Sequence, residues 1–175
     1  QRHVIPKSWY VSSGILTLFS LLMTQLALFD VLGYESSFAL GLIAVPVSWF
    51  WGLARAETEA PILRTMGLTL AQYIAPLGVL SGNGFFVQNC NFEHGLLFFV
   101  SLPLSSALYV TLLAYTVGRL SDVLNLSRVL RITGFTLIFF SPLIAESHQF
   151  LTEPTIFFFN HAWGWYSGSL YDEGR

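Results

Sequence analysis

From Gly95 to Gly118 the chain reads GLLFFVSLPLSSALYVTLLAYTVG, without one charged residue, and Arg119 follows directly. A hydrocarbon core of about 30 Å needs roughly 20 apolar residues at the ~1.5 Å rise of an α-helix, so this stretch is long enough to span a bilayer. Glu93 and His94 stand before it; Arg119, Asp122, Arg128 and Arg131 stand behind it. Because Lys and Arg accumulate in cytoplasmic loops, the basic end is expected inside. The chain as a whole is 54% hydrophobic and 10% charged, against about 25% charged in an ordinary soluble domain. Too few polar side chains are present to cover a surface facing water.

The same reasoning extends to the flanking segments. Gln1 to Trp9 carries Arg2, His3 and Lys7 and ends in the interfacial pair Trp9-Tyr10, a cytoplasmic lead-in. A first span is expected from about Val11 to Leu32, with Asp30 close enough to its far end to snorkel or cap. Gly33 to Ser36 forms an acidic turn, and a second span follows over about Ser37 to Leu53, kinked at Pro46 and closed by the aromatic belt Trp49-Phe50-Trp51 before Arg55. Ala54 to Met66 (ARAETEAPILRTM) reads as a short amphipathic helix on the cytoplasmic face, with Pro61 in its first turn. Gly67 to Gln88 is the weakest span, loaded with Gln72, Pro76, Gly78, Gly82, Asn83 and Gly84, and is expected to face other helices rather than lipid. After the organising helix and a basic loop over 119–131, a fifth span is expected over about Ile132 to Ala145.

Charge sorting sets the topology. Arg2, Lys7, Arg55, Arg64, Arg119, Arg128 and Arg131 fall in the lead-in and in every second loop, while the alternate loops hold no Lys or Arg. The expected fold is therefore an all-α polytopic membrane protein: a five-span bundle over 1–151, amino terminus cytoplasmic and carboxyl terminus extracytoplasmic. Residues 152–175, crowded with Phe157, Phe158, Phe159, Trp163, Trp165 and Tyr166, form an interfacial or re-entrant segment leading outside. The start at Gln1 and the closing run YDEGR predict a longer chain on both sides. The first apolar stretch is too long for a cleaved leader and lacks its small-residue cleavage pattern.

Composition narrows the function classes. A net charge of −2 with no basic cluster argues against nucleic acid as a partner. The single cysteine, Cys90, excludes an internal disulfide. Glu93, His94, Glu146, His148 and His161 are all placed on the outer side, where imidazoles and carboxylates from separate helix ends could hold a transition metal, with Cys90 as a further ligand. The competing explanation is topological: loops that exclude Lys and Arg are left with acids, amides and histidine. His161 among aromatics could likewise serve a pigment, haem or quinone, or sit in an ordinary aromatic belt. No catalytic triad motif, phosphate loop or HExxH is present, and the sequence gives no positive sign of catalysis or of a required cofactor.

Two local resemblances bear on role. The segment ETEAPILRTMGLTLAQYIAP, Glu57 to Pro76, resembles the cytoplasmic coupling segment of lipid-transporting permeases of the Mla type, with Glu57 or Glu59, then Leu63, Met66, Gly67, Tyr73 and Pro76 at the matching positions. That resemblance implies five membrane helices, an inside amino terminus and docking on a cytoplasmic ATPase; Arg64, in the same loop, is expected to contact a partner as well. Asn89 to Tyr109 is similar to a multi-span region of large bacterial inner-membrane proteins that leads into an extracytoplasmic domain. The leading expectation is a non-catalytic membrane subunit of a multi-subunit envelope or transport complex in a bacterial inner membrane, among lipid and other membrane subunits. A membrane anchor for an outside domain and a small metal- or cofactor-binding membrane enzyme are the alternatives.

Overall fold

The computed structural model describes residues 5–26, 29–87, 92–127, 129, 130, 132–134, 136, 137, 140 and 141, together with the backbone of two short strands. The helices are α1 (Lys7–Met23), α2 (Tyr34–Glu57), α3 (Ile62–Gln72), α4 (Ile74–Asn83), α5 (Phe92–Phe99) and α6 (Ser105–Val123), with a π-helical turn, Val100–Leu104, joining the last two. The described residues between 129 and 141 are helical as well. Among the described residues the regular structure is helical apart from β1 (Phe157–Asn160) and β2 (Gly164–Ser167), which pair antiparallel with Phe157 opposite Ser167 and Asn160 opposite Gly164. That hairpin lies in the segment read from sequence as interfacial or re-entrant.

Two helical stretches are long and apolar enough to cross a membrane: Tyr34–Glu57, and the continuous run Phe92–Val123. At ~1.5 Å per residue they reach about 36 and 48 Å, beyond the ~30 Å of a hydrocarbon core. The stretch expected over Gly95 to Gly118 is thus helical throughout, and the helix continues past Arg119 and Asp122 instead of ending in a loop. The first span differs from expectation. It begins at Lys7, stops at Met23 and is 17 residues long, because the Thr24 hydroxyl donates to the Leu21 carbonyl and tight turns follow, the Gln25 amide donating to the Leu22 carbonyl and the Leu26 amide to the Met23 carbonyl. The second is longer than expected and absorbs Ala54 to Glu57 from the predicted loop helix, whose remainder starts at Ile62.

Three prolines in helices have three outcomes. Pro46 stays inside α2 and leaves the Leu42 carbonyl without its intrahelical donor. Pro76, in the first turn of α4, would clash with the Gln72 carbonyl, and the helix breaks there, at Tyr73, so the expected span Gly67 to Gln88 is two helices. Pro103 sits in the π turn, where the wider loop accommodates its ring and the Ser105 hydroxyl donates to the Val100 carbonyl at 2.7 Å.

The core of the bundle is the pair α2 and α6. They run parallel and close: a Cβ on Gly52 would stand 2.7 Å from the Thr111 carbonyl and 2.8 Å from Ala114 Cβ, and one on Gly118 would stand 2.5 Å from Ala56 Cβ. Small residues at this spacing let two backbones approach, which is how membrane helices gain packing without a hydrophobic driving force. Nearer the other end, Gly95 packs directly on the Leu32 carbonyl. Val45, Trp49, Leu53, Val110 and Ala114 fill the seam, with Phe140 against them, and the Trp49 indole donates to Thr136 at 3.0 Å. Helix α1 runs antiparallel to α2: the Trp9 indole near its start donates to the Leu68 carbonyl and the Trp51 indole near the end of α2 donates to Thr69, adjacent positions on α3. Asn83 donates to the Asp30 carbonyl at 2.7 Å, so α3 and α4 together carry the chain back along the bundle. Lys7, Arg55, Arg64 and Arg119 consequently share one end, and Asp30, Glu35 and Glu93 the other.

Candidate functional site

The segment expected to contact a partner lies at the basic end and is built around the α2–α3 turn. Helix α2 closes with the Glu59 amide donating to the Ala56 carbonyl and the Ala60 amide to the Arg55 carbonyl, a Schellman arrangement that requires a left-handed residue between. That residue is Glu59, at φ 51°. The same arrangement ends α6, where Asn125 (φ 53°) takes the left-handed position. Asparagine tolerates it; a glutamate there costs roughly 1 kcal/mol relative to glycine. The Glu59 carboxylate accepts from Arg119 at 3.1 Å, and one turn earlier on α6 the Tyr115 hydroxyl donates to the Ala60 carbonyl at 2.7 Å. Both pins hold the turn against α6, so Glu59 is engaged within the chain. Glu57 is exposed at the last residue of α2.

Helix α3 carries the other expected contact residues and is turned in an unexpected sense. Its buried face is Thr65, Thr69 and Gln72. Its outward face is apolar: Leu63 is 84% exposed, Leu70 is exposed, and Ile74 beyond the break is 72% exposed, with Gly67 between them. Arg64 and Met66 are half-buried at the flanks. A helix solvated on a cytoplasmic surface would show the reverse pattern.

Arg55 is the residue that sequence reading misplaced. Expected in a polar loop, it is 6% exposed in the last turn of α2, its guanidinium 5.4 Å from the centre of the Trp51 ring, its Nε without a hydrogen-bond partner among the described residues. Arg64 is near enough for the two positive charges to repel. The signal was the four-residue spacing from Trp51, which puts both on one helix face. Trp51 is itself fixed by its indole N–H donating to Thr69 at 3.0 Å, and Thr69 donates to the Thr65 carbonyl. Deeper along this interface Gln72 is fully buried with neither amide atom bonded among the described residues, and the Tyr73 hydroxyl stands beside Ser48 without meeting hydrogen-bond geometry.

Of the expected metal set, two residues fall among the described ones and the rest outside them. Glu93 and His94 lie in the first turn of α5 and are exposed; Glu146, His148, His161 and Cys90 lie outside the described residues. Among the described residues no three His, Cys, Asp or Glu side chains cluster as metal ligands would. Comparison with protein-family models, with curated proteins and with solved structures finds no match for this chain, so the likeness of Glu57 to Pro76 to lipid-transporting permeases stands on those residues alone.

Proposed function

We propose that this chain is an integral membrane subunit of a larger envelope or transport complex, five spans with the amino terminus inside, in a bacterial inner membrane. The observation that carries the membrane part is an inversion of polarity. Ser37, Ser48, Thr65, Thr69, Gln72 and Thr111 are buried, while Leu18, Leu22, Leu42, Leu97 and Leu112 point outward. Only 28% of the apolar window within Phe92–Val123 is buried in the bundle. In water such an exterior would be an aggregation surface far larger than the few hundred Å² that soluble monomers expose; in lipid it is the expected one. The gathering of Lys7, Arg55, Arg64 and Arg119 at one end supports the inside assignment for that end.

The subunit part of the proposal rests on the outward face of α3. Leu63, Gly67 and Leu70 form an apolar strip beside Arg64; Leu63 and Gly67 are two of the positions that resemble the ATPase-docking segment of Mla-type permeases, and a cytoplasmic partner helix would cover the strip. Purification from native membranes in mild detergent through an amino-terminal tag, followed by mass spectrometry, tests this. A stoichiometric companion that is lost on Leu63→Glu supports the reading. A chain that arrives alone, with Leu63→Glu behaving as wild type, overturns it.

A further inference from the structure

Helix α6 does not stop where its uncharged stretch stops. It runs on through Arg119 and Asp122 to Val123, and the Leu126 amide then donates to the Ser121 carbonyl around the left-handed Asn125. Directly beyond, the Leu130 amide donates to the Ser127 hydroxyl at 3.3 Å, a cap that opens the helical residues that follow. The chain thus turns a tight corner between two helix ends. Its aliphatic side chains point away from the bundle. Leu120, Val123 and Leu124 stand at i, i+3 and i+4 on α6 and form one stripe, while Ser121 beside them is buried. Val123 is 77% exposed and Val129, past the corner, 72%; Leu120, Leu124 and Leu130 are exposed as well.

The depth of this corner makes its exposure informative. The run Phe92–Val123 reaches about 48 Å against a hydrocarbon core of ~30 Å, and the charges mark its limits: none from Gly95 to Gly118, then Arg119 and Asp122. On the membrane reading the corner therefore lies at headgroup depth. Interfacial amphipathic helices bury their apolar face there, roughly 5–10 Å into the boundary between headgroups and acyl chains. The charge of the segment selects among surfaces. Between residues 119 and 131 the sequence holds Arg119, Arg128 and Arg131 against Asp122, and Lys7 opens α1 at the same end of the bundle. Basic residues interleaved with aliphatic ones complement a leaflet of anionic phospholipid. We infer that the 119–131 corner is an interfacial anchor for anionic phospholipid, its exposed leucines and valines entering the headgroup boundary and the arginines of the segment supplying the charge that meets the phosphates. This inference rests on the membrane reading of the chain and uses none of the outward face of α3.

The test reads which lipid surrounds the corner. The full chain with Cys90→Ser and Val123→Cys, labelled at residue 123 with the fluorophore NBD, is reconstituted in phosphatidylcholine vesicles. These contain trace phosphatidylglycerol or phosphatidylcholine, spin-labelled high on the acyl chain. The label should emit as in an apolar medium and resist quenching by aqueous iodide. Phosphatidylglycerol should quench it about fivefold more strongly than phosphatidylcholine, the scale of one basic side chain near an anionic surface. Arg128→Gln with Arg131→Gln should bring that ratio close to one, as should salt at about 0.5 M. An iodide-accessible label in the vesicles overturns the anchor; shielding that occurs only in native membranes would assign the corner to a protein partner instead. Equal quenching by the two lipids overturns the anionic preference, and so does a preference that survives the double arginine substitution. Alkaline extraction is measured alongside: release of the chain overturns the membrane reading and the anchor with it, whereas a resistant chain with an iodide-accessible label overturns the anchor alone.

Discussion

The α2–α6 seam and the α2–α3 seam use opposite devices to join helices. In the first, Gly52, Ala56, Ala114 and Gly118 bring two backbones together, and the contact is made of close-packed carbon. In the second, the Trp51 indole donates to Thr69, the Tyr73 hydroxyl stands beside Ser48, and Gln72 is buried with neither amide atom bonded among the described residues, so the contact is polar and incompletely satisfied. A packed seam tolerates no added volume and gains nothing from polarity. A polar seam tolerates repacking but penalises each unpaired group. The comparison teaches where the bundle is fixed and where it can rearrange: α2 and α6 form the frame, and α3 is the element fastened to it by replaceable bonds.

Substitutions separate the two kinds of seam. Gly52→Leu should cost about 3 kcal/mol or more, since the new side chain meets the Thr111 backbone rather than a movable neighbour; unfolding in mixed detergent micelles measures it, and a loss below 1 kcal/mol would mean the seam is looser than described. Thr69→Val should cost about 2 kcal/mol by leaving the buried Trp51 N–H without an acceptor, and should blue-shift the tryptophan emission very little because the ring stays buried. Gln72→Leu goes the other way. It removes two unbonded amide atoms and should stabilise by about 1 kcal/mol; a loss instead would reveal an ordered water bonded to Gln72. Glu59→Gly should also stabilise, by up to about 1 kcal/mol, by relieving the left-handed glutamate. Arg119→Gln should leave the unfolding midpoint unchanged within error, because the Arg119–Glu59 pair is largely solvent-exposed.

The two long helices were legible in the sequence because hydrophobicity and length suffice for them: the uncharged run 95–118 and the stretch ending at the Trp49–Trp51 belt need no tertiary information. Their parallel alignment follows from the charge sorting, which puts Arg55 and Arg119 at matching ends. What could not be read was the fate of each proline, since Pro46, Pro76 and Pro103 are alike in sequence and differ in which neighbours relieve the freed carbonyl. Nor could the inverted α3: Thr65 and Thr69 look like a solvent face until α2 is known to offer Trp51 to Thr69, whereas Gln72 was expected to face other helices and does. Of the expected partner residues, the structure brings Glu59 to Arg119 and leaves Leu63 outward, a division that depends on the handedness of one turn residue.

The π turn at Val100–Leu104 has a consequence for the whole length of its helix. The buried positions before and through it are Gly95, Phe99, Pro103, Ala107 and Thr111, each four residues from the last. In an uninterrupted α-helix a step of four overshoots a full rotation by about 40°, so four such steps would carry the stripe about 160° around the axis and away from α2. The wide turn takes up one residue, about 100° of that drift. It works as a phase correction inserted between two otherwise regular helices, and deletion of one residue from 100–104 would restore an ordinary helix while turning every position before it away from the partner it now meets.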